Sequence, residues 1–477
     1  MLFNSFEFMI FFPIVVLAYY VIPGRFRNLW LLLTSYYFYL SWDLRYVALL
    51  FIITLITYLA ARGIANREET IQGEAKVFGK KVLVALCLLI NFGILCSFKY
   101  SAFAGADIIL PVGISFYTFQ SFGYVMDVYR GKSKVEKNFL KYALFVSFFP
   151  VLTSGPIERS DNLLRQIQKE RKFECENVWT GFCLILWGLF LKLVMADRIA
   201  VFVNAVYDKE MGGLYAVLGT LLFGVQIYCD FAGYSTMAIG AGKMLGFHLI
   251  ENFDAPYLSK SVSEFWRRWH ISLSSWFRDY LYIPLGGNRK GKIRKYVNLM
   301  IVFLVSGLWH GAGWKYLIWG GLNGAYQVIG DILKPLRQKM MSFIHINQEN
   351  VIYRMIQTII TFLLVDFAWL FFKANSAGSA LRMMKKMITE FDLKVMIDGS
   401  LYQMGLPCLE FWFMLLTIAL LLIVDILHDK KVYVLNMIHR QHICIQACLC
   451  AILFMVVVIF GVYGVNYDVG TFIYFAF

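Results

Sequence analysis

Val82-Leu83-Val84-Ala85-Leu86-Cys87-Leu88-Leu89-Ile90-Asn91-Phe92-Gly93-Ile94-Leu95-Cys96-Ser97-Phe98 runs without a charge between Lys81 and Lys99. A bilayer core of roughly 30 Å is crossed by about 20 apolar residues in a helix. Continued to residue 103, the run meets that length. Comparable runs recur over approximately 6–22, 28–42, 46–61, 110–128, 177–196, 214–237, 296–310, 314–333, 354–372, 410–428 and 443–463. Of 477 residues, 59% are apolar, 17% aromatic and 16% charged, where a soluble protein carries about 25% charged residues. The pattern predicts an all-α polytopic membrane protein, one domain over 1–477 with about 11–13 transmembrane helices. It excludes a soluble enzyme, a disordered chain and a nucleic-acid-binding protein.

The formal charge of +14, from 45 basic and 31 acidic residues, then reads as cytosol-facing loops. Met1 to Glu7 carries no base, and the first positive charges, Arg25 and Arg27, follow the first apolar run. This puts the N-terminus outside. The basic segments 62–81 and 130–141 fall inside. Tyr142 to Thr153 is too short to span, and a re-entrant dip ending at Ser154-Gly155-Pro156 keeps Arg159, Arg165, Lys169, Arg171 and Lys172 inside. The basic stretch from Lys243 to Lys295 is inside as well, and both termini are outside. The segment 373–400, with Lys373, Arg382, Lys385, Lys386 and Lys394, lands outside against the charge rule. Cys87, Cys96, Cys183, Cys229, Cys444, Cys448 and Cys450 lie in apolar runs, without a C-x-x-C pair or metal spacing. They are expected to be buried thiols, and no metal or tightly bound cofactor is expected.

One segment does not read as a span. In 259–283, Ser261 and Glu264 form a capping box that starts a helix. Val262, Phe265, Trp269, Leu273, Trp276 and Tyr280 recur at helical spacing, while Arg267, His270, Ser274 and Arg278 gather opposite. Pro284 and Gly286-Gly287-Asn288 end it. A Trp-rich face opposite a cationic one suits a helix lying in the membrane interface. The sharper reading is a cationic lining of a cytosolic opening that holds the phosphates of an anionic donor, since Arg forks match phosphate oxygens.

Among seven histidines, His310 stands apart. It closes Val302-Phe303-Leu304-Val305-Ser306-Gly307-Leu308-Trp309 and precedes Gly311-Ala312-Gly313. An ionisable group within an apolar span is costly and tends to mark a pathway or a site. A helix-terminal imidazole before a capping glycine is the plainer reading. Ser306 lies one turn earlier on nearly the same face, either paired with His310 or bonded back to its own helix. No G-x-S-x-G, P-loop, H-E-x-x-H or H-x-x-x-x-D motif occurs.

The chain resembles the membrane-bound O-acyltransferases, in their bacterial alginate O-acetyltransferase branch, and is related to the membrane protein that transfers D-alanine to teichoic acid. The residues that carry the resemblance are Pro111-Val112-Gly113-Ile114-Ser115-Phe116-Tyr117-Thr118-Phe119-Gln120, Phe149-Pro150, Ser154-Gly155-Pro156-Ile157, Asp230-Phe231-Ala232-Gly233-Tyr234-Ser235 and Asn252-Phe253-Asp254-Ala255-Pro256-Tyr257. The most specific are Glu264-Phe265-Trp266-Arg267-Arg268-Trp269-His270-Ile271-Ser272-Leu273-Ser274, Ile283-Pro284-Leu285-Gly286-Gly287-Asn288 and Gly307-Leu308-Trp309-His310-Gly311-Ala312. These motifs fall within 1–330. The C-terminal helices of 334–477 are similar mainly in hydropathy and in the tail Phe472-Ile473-Tyr474-Phe475-Ala476-Phe477.

The resemblance implies a helical bundle around a funnel, with His310 as the catalytic residue at its neck and His270 as the second histidine. It implies donor contacts from Arg267, Arg268, Arg278, Trp266 and Trp269, and a neck lined by Ser306, Trp309, Asp230 and Asn252. The expected reaction moves an acyl group, acetyl in this branch, from a cytosolic thioester such as acetyl-CoA to a hydroxyl of a cell-surface polysaccharide. An extracytoplasmic partner acyltransferase of the SGNH-hydrolase type is implied, in a bacterial cell membrane. Two alternatives stay open: D-alanyl transfer to teichoic acid from a carrier-protein thioester, and a glycan or lipid-linked glycan transporter. The latter would show interrupted spans paired between two halves, and none are found.

Overall fold

A computed structural model describes residues 1–70, 74–101, 110–345, 347–463 and 473. Among the described residues every regular element is helical. The chain divides into two compact units, Met1–Leu189 with Tyr234–Glu251, and Phe190–Gly233 with the chain from Asn252 to Tyr463.

The first unit opens with α1 (Phe6–Val21), α2 (Gly24–Leu40), α3 (Leu44–Thr70) and α4 (Glu74–Lys99). The Ser5 side chain accepts a hydrogen bond from the Phe8 amide and caps α1, which satisfies one of the free donors at a helix start. α5 (Ile114–Tyr129) begins at Gly113, whose φ is +75° and where a Cβ would sit 2.2 Å from the Leu152 carbonyl oxygen. Only glycine suits both conditions. The expected re-entrant stretch is two short buried helices, α6 (Phe139–Ser147) and α7 (Phe149–Leu152), broken at Phe148. Ser35 accepts from the Phe149 amide at 3.1 Å, so the break leaves no orphan donor there. α8 (Arg165–Ile167) and α9 (Cys175–Leu189) complete this part of the chain.

In the second unit a π-helical stretch, Phe190–Ala196, leads into α10 (Asp197–Asp208). α11 (Gly213–Met244) follows, its residues from Tyr234 belonging to the first unit. Next come α12 (Val262–Arg268), α13 (Ile271–Phe277), α14 (Lys292–His310), α15 (Trp314–Phe343) and α16 (Val351–Lys373). α17 (Ala377–Thr389), α18 (Cys408–Asp429), α19 (Val434–His439) and α20 (Ile443–Phe460) end the described chain.

Each apolar run read from the sequence falls on a helix. Seven stretches are long and apolar enough to cross a bilayer among the described residues: Leu44–Glu68, Val77–Lys99, Cys175–Asp208, Gly213–Met244, Val351–Lys373, Cys408–Asp429 and Ile443–Phe460. The chain is a polytopic all-α membrane protein. Residues 102 and 103 of the fourth expected span, and the aromatic tail apart from Ile473, lie outside the described residues. Three cysteines depart from expectation. Cys87, Cys183, Cys229 and Cys450 are buried, but Cys96, Cys444 and Cys448 are exposed. They sit on outward faces of α4 and α20, beside Leu86, Leu89, Ile445 and Ile452, where lipid rather than protein provides the apolar surroundings.

The basic segment that resisted the charge rule has local partners. Arg382 on α17 forks onto Glu210 through Nε and Nη2 at 2.8 and 2.7 Å. Lys386 donates to the Glu210 carbonyl at 2.9 Å. Lys373 donates to Asn204 Oδ1 at 2.7 Å. The pair holds the Glu210 carboxyl down at about 2, through the Arg382 hydrogen bonds first. These charges clamp α17 and the end of α16 onto α10 and the turn after it.

Candidate active site

α12 starts as the capping box predicts: Ser261 Oγ accepts from the Glu264 amide at 3.1 Å. The same carboxylate accepts from the Lys260 amide at 3.0 Å and pairs with Arg268 at 2.7 Å. The long helix expected over 259–283 is not formed. α12 stops at Arg268, Trp269 is extended, and His270 takes a left-handed conformation with φ +43° before α13 begins. The cause lies upstream. The Asn252 carbonyl accepts from the Ile271 amide at 3.0 Å, Asn252 Oδ1 accepts from Ser272 at 3.3 Å, and the Asp254 amide donates to the Arg268 carbonyl at 3.0 Å. Residues 252–254 thus splint the break.

The splint changes where His270 lies. It does not join the cationic face but is turned inward, 1% exposed. Phe231 on α11 meets its ring edge-on, with centroids 4.6 Å apart. Burial lowers its pKa to about 3, so this residue of a non-spanning break is neutral. Arg267 and Arg278 stay exposed, Arg278 paired with Asp279 at 2.9 Å. Arg268 is engaged by Glu264 and by Asp429 at 2.6 Å. The three arginines therefore do not gather with His270.

His310, the last residue of α14, is 2% exposed and enclosed by rings. Trp309, Trp319 and Phe372 lie 4.7, 5.0 and 5.2 Å from it, all near perpendicular. Edge-on aromatic packing of this kind is favourable at such separations. Trp319 is brought close because α14 and α15 cross at glycines. A Cβ on Gly307 would lie 2.3 Å from the Tyr316 carbonyl oxygen, and one on Gly320 2.3 Å from that of Phe303. Trp266 packs on Trp319 and donates to Asn323 Oδ1 at 3.1 Å. Trp369 stacks on Trp319 at 5.6 Å and meets Trp269 at 5.2 Å.

Trp309 also faces the other histidine, with centroids 6.2 Å apart. Both imidazoles thus pack against one indole, within a buried aromatic cluster. Trp266 and Trp269 belong to the walls of that cluster. Ser306 is buried one turn before His310. Asp230 is not at the histidines but is ion-paired: Lys192 Nζ stands 2.8 Å from Asp230 and 2.7 Å from Asp197, all three buried. Asp230 precedes Phe231, so the triad anchors the turn of α11 that presents Phe231 to His270. Asn252 is the splint. The sequence reading did not single out Phe231, Trp319, Trp369 and Phe372, which build the ring cluster around the two histidines. Among the described residues no group of three His, Cys, Asp or Glu side chains could hold a metal.

Residues 86–367 match the profile of the membrane-bound O-acyltransferase family. The chain is 38% identical over 404 residues to a probable alginate O-acetylase of Azotobacter vinelandii, covering 82% of this chain and 78% of that protein. It is 34% identical over 435 residues to a peptidoglycan O-acetyltransferase of Helicobacter pylori, covering 81% and 80%. Similarity to a teichoic acid D-alanyltransferase of Bacillus subtilis is 30% over 228 residues, covering 45% of this chain and 57% of the relative.

Proposed function

The chain belongs to the membrane-bound O-acyltransferase family, and from that premise we propose that it moves an acetyl group from a cytosolic thioester to a hydroxyl of an extracytoplasmic polysaccharide, with His310 as the base. The observation that carries this reading is the packing of His270 and His310 against the same Trp309 ring. The acceptor oxygen attacks the thioester carbonyl carbon, and its proton passes to the His310 imidazole. The carbon–sulfur bond then breaks, and the thiolate leaves with that proton. A positioned base of this kind typically contributes 10²–10⁴-fold. The rings around His310 exclude water, which would otherwise consume the thioester. Neutral His270 donates a hydrogen bond to the donor carbonyl as charge develops on its oxygen. Exposed Arg267 and Arg278 meet the donor's phosphates, as in acetyl-CoA.

The setting we propose is a bacterial plasma membrane with both termini outside, the acetyl group passing directly or through an SGNH-hydrolase-like partner to the glycan. O-acetylases align over 82% and 81% of the chain but the D-alanyltransferase over 45%, which favours acetyl over D-alanyl transfer. Membership in an acyltransferase family sets the transporter alternative aside. The test is His310→Ala and His310→Gln in cells, reading base-released acetate from surface polysaccharide alongside protein level in the membrane. Both variants should lose the acetate at unchanged level. Normal acetylation in either one refutes the assignment.

A further inference from the structure

Near the aromatic enclosure of His310, Lys315 at the start of α15 reaches the C-terminal end of α16, which carries Lys373. Lys315, the second residue of α15, donates from Nζ to the Ala374 carbonyl at 2.8 Å. Ala374 follows Lys373, the last residue of α16, so the two lysines meet at one place and are close enough to repel. Each is partly buried. Lys373 donates to the neutral Asn204 amide oxygen, and its Nζ stands 5.9 Å from the centre of the Phe223 ring. Asp208 attracts it, but no carboxylate among the described residues lies within ion-pair distance of either lysine. Repelling charges with no carboxylate in direct contact among the described residues are unfavourable in a partly buried place, and a bound anion would relieve them. The N-terminus of α15 adds to the positive field, because its N-cap, Gly313, supplies no side-chain acceptor.

The path from these charges to the imidazole is short. Lys315 Nζ lies 4.8 Å from the centre of the Tyr316 ring. Tyr316 meets Phe372 at 5.4 Å, and Phe372 meets His310 at 5.2 Å. A group held by the lysines is therefore separated from the imidazole by two rings in contact, Tyr316 and Phe372.

We infer that Lys315 and Lys373 form an anion-binding subsite that holds a carboxylate or phosphate of one of the two acyl-transfer substrates beside His310. The inference rests on the acetyl-transfer reading and adds to it two specificity-determining residues. The alternation of sides expected from the basic loops puts this end of α14 outside, where the acceptor arrives. An acidic sugar is then the bound partner and its neutral counterpart is discriminated against.

The experiment measures binding to the full-length protein in nanodiscs. The probes are a hexauronate oligosaccharide, its carboxyl-reduced neutral form, and coenzyme A, each at low and high salt. Wild-type protein should bind the uronate in a salt-sensitive way and bind the reduced form at least about tenfold more weakly. Lys315→Gln/Lys373→Gln should weaken the uronate by about a hundredfold, on the basis of two charge-assisted contacts. A selective loss of coenzyme A binding instead assigns the subsite to the donor's phosphates. The inference is overturned if the double variant, folded by its thermal melt, binds both anionic probes as wild type does. Loss of fold in the double variant moves the comparison to the single substitutions, judged by the same two readouts. The acetyl-transfer reading fails if His310→Ala cells still acetylate, and this one fails if the lysine variant binds as wild type does, so the two failures are distinguishable.

Discussion

Lys192→Met is the most informative perturbation of the scaffold behind the histidines. Its ammonium, 1% exposed, is shared between Asp197 at 2.7 Å and Asp230 at 2.8 Å, both buried. Removing one partner of a buried ion pair typically costs about 3–5 kcal/mol, because it leaves an uncompensated charge. Here one deletion removes the ammonium that two buried carboxylates share, so a cost within that range is expected. Replacing the whole set with groups of similar shape should be nearly neutral. The assay is the thermal melt of detergent-solubilised protein together with its abundance in the membrane. Lys192→Met should melt several degrees lower and accumulate poorly, and adding Asp197→Asn with Asp230→Asn should recover most of both. If Lys192→Met melts with wild type, or if the triple variant is worse than the single, the triad does not hold α11 as described.

Asn252→Ala removes the side-chain half of the splint across the Trp269–His270 break. A loss of about 1 kcal/mol in stability is expected, with a disproportionate fall in acetylation that Asn252→Asp should partly restore. Gly307→Leu forces a side chain into the α14–α15 crossing, where a Cβ already meets the Tyr316 carbonyl at 2.3 Å. Destabilisation of about 1–3 kcal/mol or more should appear as a lower melting temperature. The His270 pKa is lowered by burial to about 3, so the unfolded chain binds a proton there before the native one does. Stability should therefore fall as pH drops from about 6.5 toward about 3, and His270→Gln should flatten that slope in pH-dependent melts.

Much of this architecture was legible because span length is set by the bilayer: the runs of 46–61 or 443–463 need no partner to be recognised. His310 was legible for the same reason, a polar ring closing an apolar run. The break at Trp269–His270 was hidden. Val262, Phe265, Trp269, Leu273 and Trp276 keep helical spacing across it, and all are buried. What interrupts the helix is hydrogen bonding from Asn252, which no periodicity inside 259–283 reports. The aromatic walls were hidden for a related reason. Phe231, Trp319 and Phe372 are ordinary members of three apolar helices until those helices pack. The partners of the basic segment 373–400 were hidden because a charge count treats Arg382 and Lys386 as solvated, whereas the structure ties both to Glu210.

Phe372 has a consequence for how this protein can be cut. The family match ends at residue 367, and a fragment trimmed there would keep both histidines, Trp309 and Trp319. It would also open one side of the His310 enclosure, by losing Phe372, and would discard Trp369, Lys373 and the Arg382 clamp. The His310 enclosure thus extends beyond the recognisable signature, and shortened versions should retain the hallmark residues while exposing the His310 ring to water.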